Sequence, residues 1–109
     1  MRINQDFTMY VDSHDKLEAT VSDVENLTGS VIKWKMAKHR SDEPIIEKHS
    51  GNNGITIDGN KFTIIIEPQD NKTLQQDQYY HEARMTDSQG NTRPIMSGAV
   101  TVVETLTRS

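Results

Sequence analysis

The sequence predicts an all-β fold, an antiparallel β-sandwich of seven to eight strands. Three observations lead there: apolar residues recur with period two, turn signals separate the alternating runs, and no stretch sustains a 3.6-residue period. Hydrophobic residues make up only 33% of the 109 positions. That suits a fold whose strands bury one face and wet the other.

The alternating runs follow in order. Phe7, Met9 and Val11 alternate with Thr8 and Tyr10. Leu17, Ala19 and Val21 come next, then Ile32, Trp34 and Met36 between lysines. A short segment, Ile45 to His49, follows Pro44 and reads as an edge strand, because proline cannot donate to a ladder. Ile55 to Ile57 and Phe62, Ile64, Ile66 flank Asp58-Gly59, which predicts a type I′ hairpin with those two residues at its centre. Pro68 to Leu74 breaks the pattern and reads as one helical turn with Leu74 folding back as a plug. Tyr79, His81, Ala83 and Met85 form the longest run, and Asp87 to Asn91 is a loop to the last strand, marked by Val100 and Val102. Two details favour the immunoglobulin-like arrangement. A single tryptophan, Trp34, lies in the third strand, and Tyr79 opens the sixth, where a tyrosine corner would sit.

One domain accounts for all 109 residues. Met1 to Gln5 and Glu104 to Ser109 are polar and are expected to act as short terminal arms that order on a neighbour. No cysteine is present, which excludes disulfides and thiol chemistry. The formal net charge of −4 disfavours nucleic-acid and anionic-membrane partners. No apolar leader or membrane-length run occurs, so the expectation is a protein made in the cytoplasm without a signal peptide.

No cofactor or metal is expected and no enzyme is indicated. His14, His39, His49 and His81 lack ligand spacing, and no nucleophile elbow or phosphate-binding glycine loop occurs. Asp12-Ser13-His14-Asp15 and Asp58-Gly59-Asn60 fall short of a dedicated calcium site. His81 shares the inward register with Tyr79 and is expected to bond a neighbouring backbone group. Lys33 and Lys35 point outward on the third strand and Glu82 and Arg84 on the sixth, which predicts cross-strand Lys–Glu pairing. Lys72, Arg93 and Arg108 complete the possible basic side. Asn26-Leu27-Thr28 and Asn71-Lys72-Thr73 match the glycosylation sequon, which carries no weight without a secretion signal.

Tyr10, Ile65, Tyr80, Ala99 and Val103 occupy outward positions. Tyr10, Ile65, Tyr80 and Val103 are the expected protein-interface residues, with Tyr80 and Ile65 foremost.

From Leu27 to Leu106 the order of motifs resembles a family of small bacteriophage domains. The residues are Leu27-Thr28-Gly29 with Val31 and Trp34, the Asp58-Gly59 hairpin into Phe62-Thr63-Ile64, and Pro68 with Asp70 and Leu74. They continue with Tyr79-Tyr80-His81-Glu82-Ala83-Arg84-Met85-Thr86-Asp87, Gly90, Ser97 to Val102 and Thr105-Leu106-Thr107. The family is the immunoglobulin-like domain found at the N-terminus of phage baseplate upper proteins and alone among phage structural genes. The sequence departs from it at Asp77, where members often carry glycine, and at His81, where an aromatic is common. The resemblance implies a virion structural role. The partners would be portal, neck, tail or baseplate subunits, met in several copies of a symmetric assembly. The alternative is a carbohydrate- or host-surface-binding sandwich that aids adsorption, which would need an exposed aromatic to stack on sugar rings.

Overall fold

The computed structural model describes residues 3–22, 24–39, 43–50 and 54–104. Its strands are β1 (Ile3–Asn4), β2 (Phe7–Tyr10), β3 (Asp15–Thr20), β4 (Val31–Ala37), β5 (Ile46–His49), β6 (Ile55–Asp58), β7 (Lys61–Ile66), β8 (Asp77–Thr86) and β9 (Thr92–Val103). One short helix, α1 (Pro68–Asn71), lies between β7 and β8. The larger sheet runs β1-β9-β8-β4-β5, with β2 also on β9; the smaller runs β3-β7-β6. This is an all-β sandwich of immunoglobulin-like arrangement, a three-stranded sheet facing a sheet widened on both sides.

Alternation sorts the side chains as the period predicts. Ile32, Trp34 and Met36 of β4, Tyr79, His81, Ala83 and Met85 of β8, and Phe62, Ile64 and Ile66 of β7 all point into one core between the sheets. Trp34 and Phe62 are its largest fully buried side chains. The tyrosine corner is present: the Tyr79 hydroxyl donates to the Gln75 carbonyl at 3.0 Å. Leu74 is buried beside it in sequence, as a plug requires. The link from β3 to β4 is pinned to the β6–β7 turn, where the Leu27 N–H donates to the Gly59 carbonyl at 2.8 Å and Asn60 donates to the Val24 carbonyl.

Four expectations change. First, Asp58 pairs with Lys61, so the turn centres on Gly59-Asn60 rather than Asp58-Gly59. Gly59 takes φ +62 while Asn60 keeps a negative φ. That is the type II′ pattern, with glycine at the first central position. Second, the sandwich is not wholly antiparallel, because β1 and β2 both run parallel to β9. Counting them as two segments brings the described strands to nine. Third, the expected N-terminal arm is, from Ile3 onward, part of the sheet: the Gln5 N–H donates to the Ser97 carbonyl at 2.8 Å. Met1, Arg2 and 105–109, with Arg108 among them, lie outside the described residues. Fourth, the last strand starts at Thr92, well before the alternation at Val100 becomes legible. A register shift between Ala83 and Arg84 puts Ile95 and Met96 both in the core. Such a bulge breaks the period-two pattern and accommodates Pro94 within a strand.

Two polar residues bind α1 to the sandwich. Asp70 accepts from the Glu67 N–H at 2.8 Å and pairs with Lys48 of β5 at 2.7 Å. Asn71 is fully buried. Its amide nitrogen donates to the carbonyls of Tyr10 (3.1 Å) and Ser13 (3.2 Å), and its Oδ1 accepts from the Ser13 N–H at 3.4 Å. These bonds hold the turn after β2, where Asp12 takes φ 57, a left-handed value uncommon outside glycine.

Candidate interaction surface

The outer face of the larger sheet is built from the residues that alternate with the core. Register places them in rows that cross the strands. Neighbours within a row are roughly 5 Å apart and rows are roughly 7 Å apart. The first row is apolar. Ala37 of β4 lies opposite Tyr80 of β8, and Tyr80 opposite Ala99 of β9. Ile45 extends it beyond β4: its N–H donates to the Met36 carbonyl at 2.7 Å, and its side chain is 45% exposed. The next row is Glu47–Lys35–Glu82–Ser97, and the one after it is His49–Lys33–Arg84–Pro94. Val31, Thr86 and Thr92 close the face.

The expected pairing is half right. Lys35 does face Glu82, and Glu47 on its other side, an alternating ladder of the stabilising kind. Lys33, however, faces Arg84 and not a carboxylate. Sequence alternation shows which residues point outward, but only register shows which of them meet.

The four expected interface residues fall in three places. Tyr80 sits in the centre of the apolar row, half-buried. Tyr10 and Val103 are directly opposite one another, Tyr10 being half exposed. They lie four residues farther along β9 than Ala99, roughly 13 Å from the Tyr80 row. Ile65 belongs to the other sheet, opposite Lys16 and beside His14. It therefore shares no surface with Tyr80. Ile45 was missed as an interface residue because it looked like the start of an edge strand. Its outward direction follows from Ile46, the next residue, being buried.

The inward side of β8 holds the chain's one buried histidine among the described residues. His81 is 3% exposed. Trp34 Nε1–H donates to His81 Nδ1 at 3.0 Å, and His81 Nε2–H donates to the Gln5 carbonyl. These bonds require the neutral tautomer protonated on Nε2. The Phe7 ring meets the imidazole edge-on at a centroid distance of 5.1 Å. Both nitrogens are engaged, so neither is left to move a proton or hold a metal, and the role is structural, as its inward register predicts. Burial pushes the imidazole below its ordinary value of 6.5, against the opposing pull of the Gln5 carbonyl and the Asp6 charge.

The sign of the pH effect follows. A histidine depressed in the folded state favours folding most above 6.5 and loses that contribution as pH falls through 6.5 toward the folded value. Protonation also turns Nδ1 into a donor facing the Trp34 N–H. Stability measured by urea denaturation is therefore expected to drop between about pH 7 and pH 5, with a flatter profile in His81→Gln. Equal slopes in the two proteins would mean that other groups set the pH dependence.

Two exposed carboxylates stiffen the ends of β8. Asp77 is held below the usual carboxylate range first by the hydrogen bond from Lys38, whose ammonium also lies 5.1 Å from the Tyr79 ring centroid. Asp87 is lowered first by the Asn91 N–H and also by the Gln89 N–H, both 2.9 Å from its Oδ1, which shapes the β8–β9 loop.

No family model matches the chain, and no curated protein does. Among solved structures it is similar to a Bacteroides vulgatus protein described as a "putative glycoside hydrolase", with a TM-score of 0.52 and 15% identity. The likeness covers 93% of this chain but 17% of that one. At this identity it establishes the sandwich fold and nothing about activity.

Proposed function

We propose that this chain is a bacteriophage virion structural protein, a non-enzymatic assembly module of the neck, tail or baseplate region. The observation that carries the interaction role is the apolar row Ile45–Ala37–Tyr80–Ala99 across one sheet face, bordered by a charged ladder. An apolar strip rimmed by charge is how protein contact surfaces are commonly arranged. The phage assignment is supported by the order of motifs in the sequence. Portal, neck, tail or baseplate subunits are the partners, met in several copies around a symmetry axis.

Mass spectrometry of purified particles should find the chain in stoichiometric amounts, and cryo-electron microscopy should place a neighbour over Tyr80. Tyr80→Ala should weaken incorporation by about 2 kcal/mol, roughly thirtyfold, if the ring fills a partner's pocket. Clean particles without the chain would overturn the assignment. The carbohydrate-binding alternative would then be tested by a glycan screen of the isolated domain. It has lost its best stacking residue, since Trp34 is fully buried, and keeps the half-exposed Tyr10.

A further inference from the structure

Like charges directly opposite one another on a sheet repel, so cross-strand neighbours usually alternate in sign. The Glu47–Lys35–Glu82 row obeys that rule and the row beside it breaks it. Lys33 stands between His49 and Arg84, with no carboxylate in the row. Arg84 lies 3.8 Å from Glu82, a contact with both side chains about half exposed, which screens it strongly. The same region forms a depression of about 340 Å³ lined by Lys33, Lys35, Glu82, Arg84, Thr86 and Thr92. The Thr86 and Thr92 hydroxyls bond one another at 2.9 Å. A local rule broken with only one weak, solvent-screened ion pair to offset it points to a surface shaped for something outside the chain.

We propose that the Lys33–Arg84 pair seats a carboxylate of an extended, acidic segment of a protein partner. That segment lies along β4 and β8 and places an apolar residue on the Ala37–Tyr80 row. The spacing sets its pattern. Ala37 and Lys33 are four residues apart on β4, so an extended segment must carry the apolar and acidic residues four positions apart, roughly 13 Å. The intervening outward position meets the Glu47–Lys35–Glu82 ladder and takes a polar or basic residue. This ladder is what selects a peptide over a nucleic acid or a sulfated polysaccharide. Such polymers carry negative charge at every step and would meet Glu47 and Glu82 only about 7 Å from the cations, inside the screening length of ordinary buffers. The chain's net charge of −4 adds to that repulsion. The inference deepens the assembly reading and rests on it for the partner's origin.

The test uses the full isolated chain, labelled with ¹⁵N. It is titrated with a synthetic peptide of threonines carrying leucine and aspartate four positions apart, and with an isomer whose aspartate is two positions from the leucine. A thymidine oligonucleotide and a heparin-derived oligosaccharide are the other ligands. Amide shifts are expected at Lys33, Tyr80, Arg84 and Thr86 with the first peptide, at lower affinity with its isomer. Arg84→Glu and the milder Lys33→Gln should each weaken binding, the charge reversal by about tenfold. Lys16→Glu, exposed on the opposite sheet, should not. No response to the peptide, shifts confined to other residues, or tighter binding of either polyanion at the same cations would overturn the proposal. Peptide binding by a chain absent from particles would overturn the virion reading alone. Incorporation without peptide recognition would overturn only this one.

Discussion

Gly98→Val will destabilise the domain by about 3 kcal/mol, a loss at the upper end of overpacking effects. For a chain of this size that lowers Tm by roughly 10–20 °C. The crossing of the chain between β1 and β2 demands the glycine. A Cβ at position 98 would lie 2.1 Å from the Gln5 carbonyl oxygen, 2.6 Å from its carbon and 2.8 Å from Asp6 Oδ1. Two of those atoms are backbone, so no side-chain rotation relieves the clash. The Gln5 carbonyl cannot retreat without abandoning His81, and Asp6 cannot without releasing the Ala99 N–H, which it accepts at 2.8 Å. The mutation therefore acts by lifting the N-terminal strands from β9. Hydrogen exchange should show faster exchange at Gln5 and Val11, whose N–H groups bond the carbonyls of Ser97 and Val103. A melting point within a degree or two of wild type would show that the crossing relaxes at little cost.

Asn71→Leu is the second large effect, at about 3 kcal/mol. The substitution keeps the branched outline of the side chain, with methyl groups bulkier than the amide, but removes three hydrogen bonds inside the protein, stranding the carbonyls of Tyr10 and Ser13 and the Ser13 N–H. Each polar group left buried and unsatisfied costs about 1–3 kcal/mol, and partial exposure of this turn keeps the sum near the lower figures. Asn71→Asp retains the acceptor and loses both donated bonds, so it should recover only a small part. Urea denaturation of the three proteins reads these differences directly. A loss below about 1 kcal/mol for Asn71→Leu would mean that water replaces the amide without difficulty.

The strands were legible because period two is a local property of the chain. Ile32-Lys33-Trp34-Lys35-Met36 and Tyr79 through Met85 announce their inward faces with no knowledge of their neighbours. Local reading failed where geometry is set by a distant segment. Gly98 reads as an ordinary small residue until Gln5, far away in sequence, passes over it. Asn71 reads as part of a glycosylation sequon until Tyr10 and Ser13 arrive as its partners. The Asp58-Gly59 pair was placed one residue early, because composition identifies a tight turn more reliably than its centre. The β9 bulge at Pro94-Ile95 put two successive residues in the core, which alternation cannot express. The outer face of the larger sheet shows the limit most clearly. Tyr80 was singled out correctly as outward, but its companions turned out to be Ala37, Ala99 and Ile45 rather than Ile65. That difference is one of strand order and register, which no single stretch of sequence encodes.

The parallel docking of β1 and β2 on β9 has a consequence in time. Ile3 pairs with Met96, about ninety residues later in the chain. A ribosome adding roughly 5–20 residues per second needs on the order of 5–20 s to make the partner after the first strand has emerged. Throughout that interval Phe7 and Met9 have no strand to pair with, and the nascent chain must stay soluble without its outermost seam. Strand order thus sets a minimum delay: β1 and β2 cannot take their native register until β9 has been made.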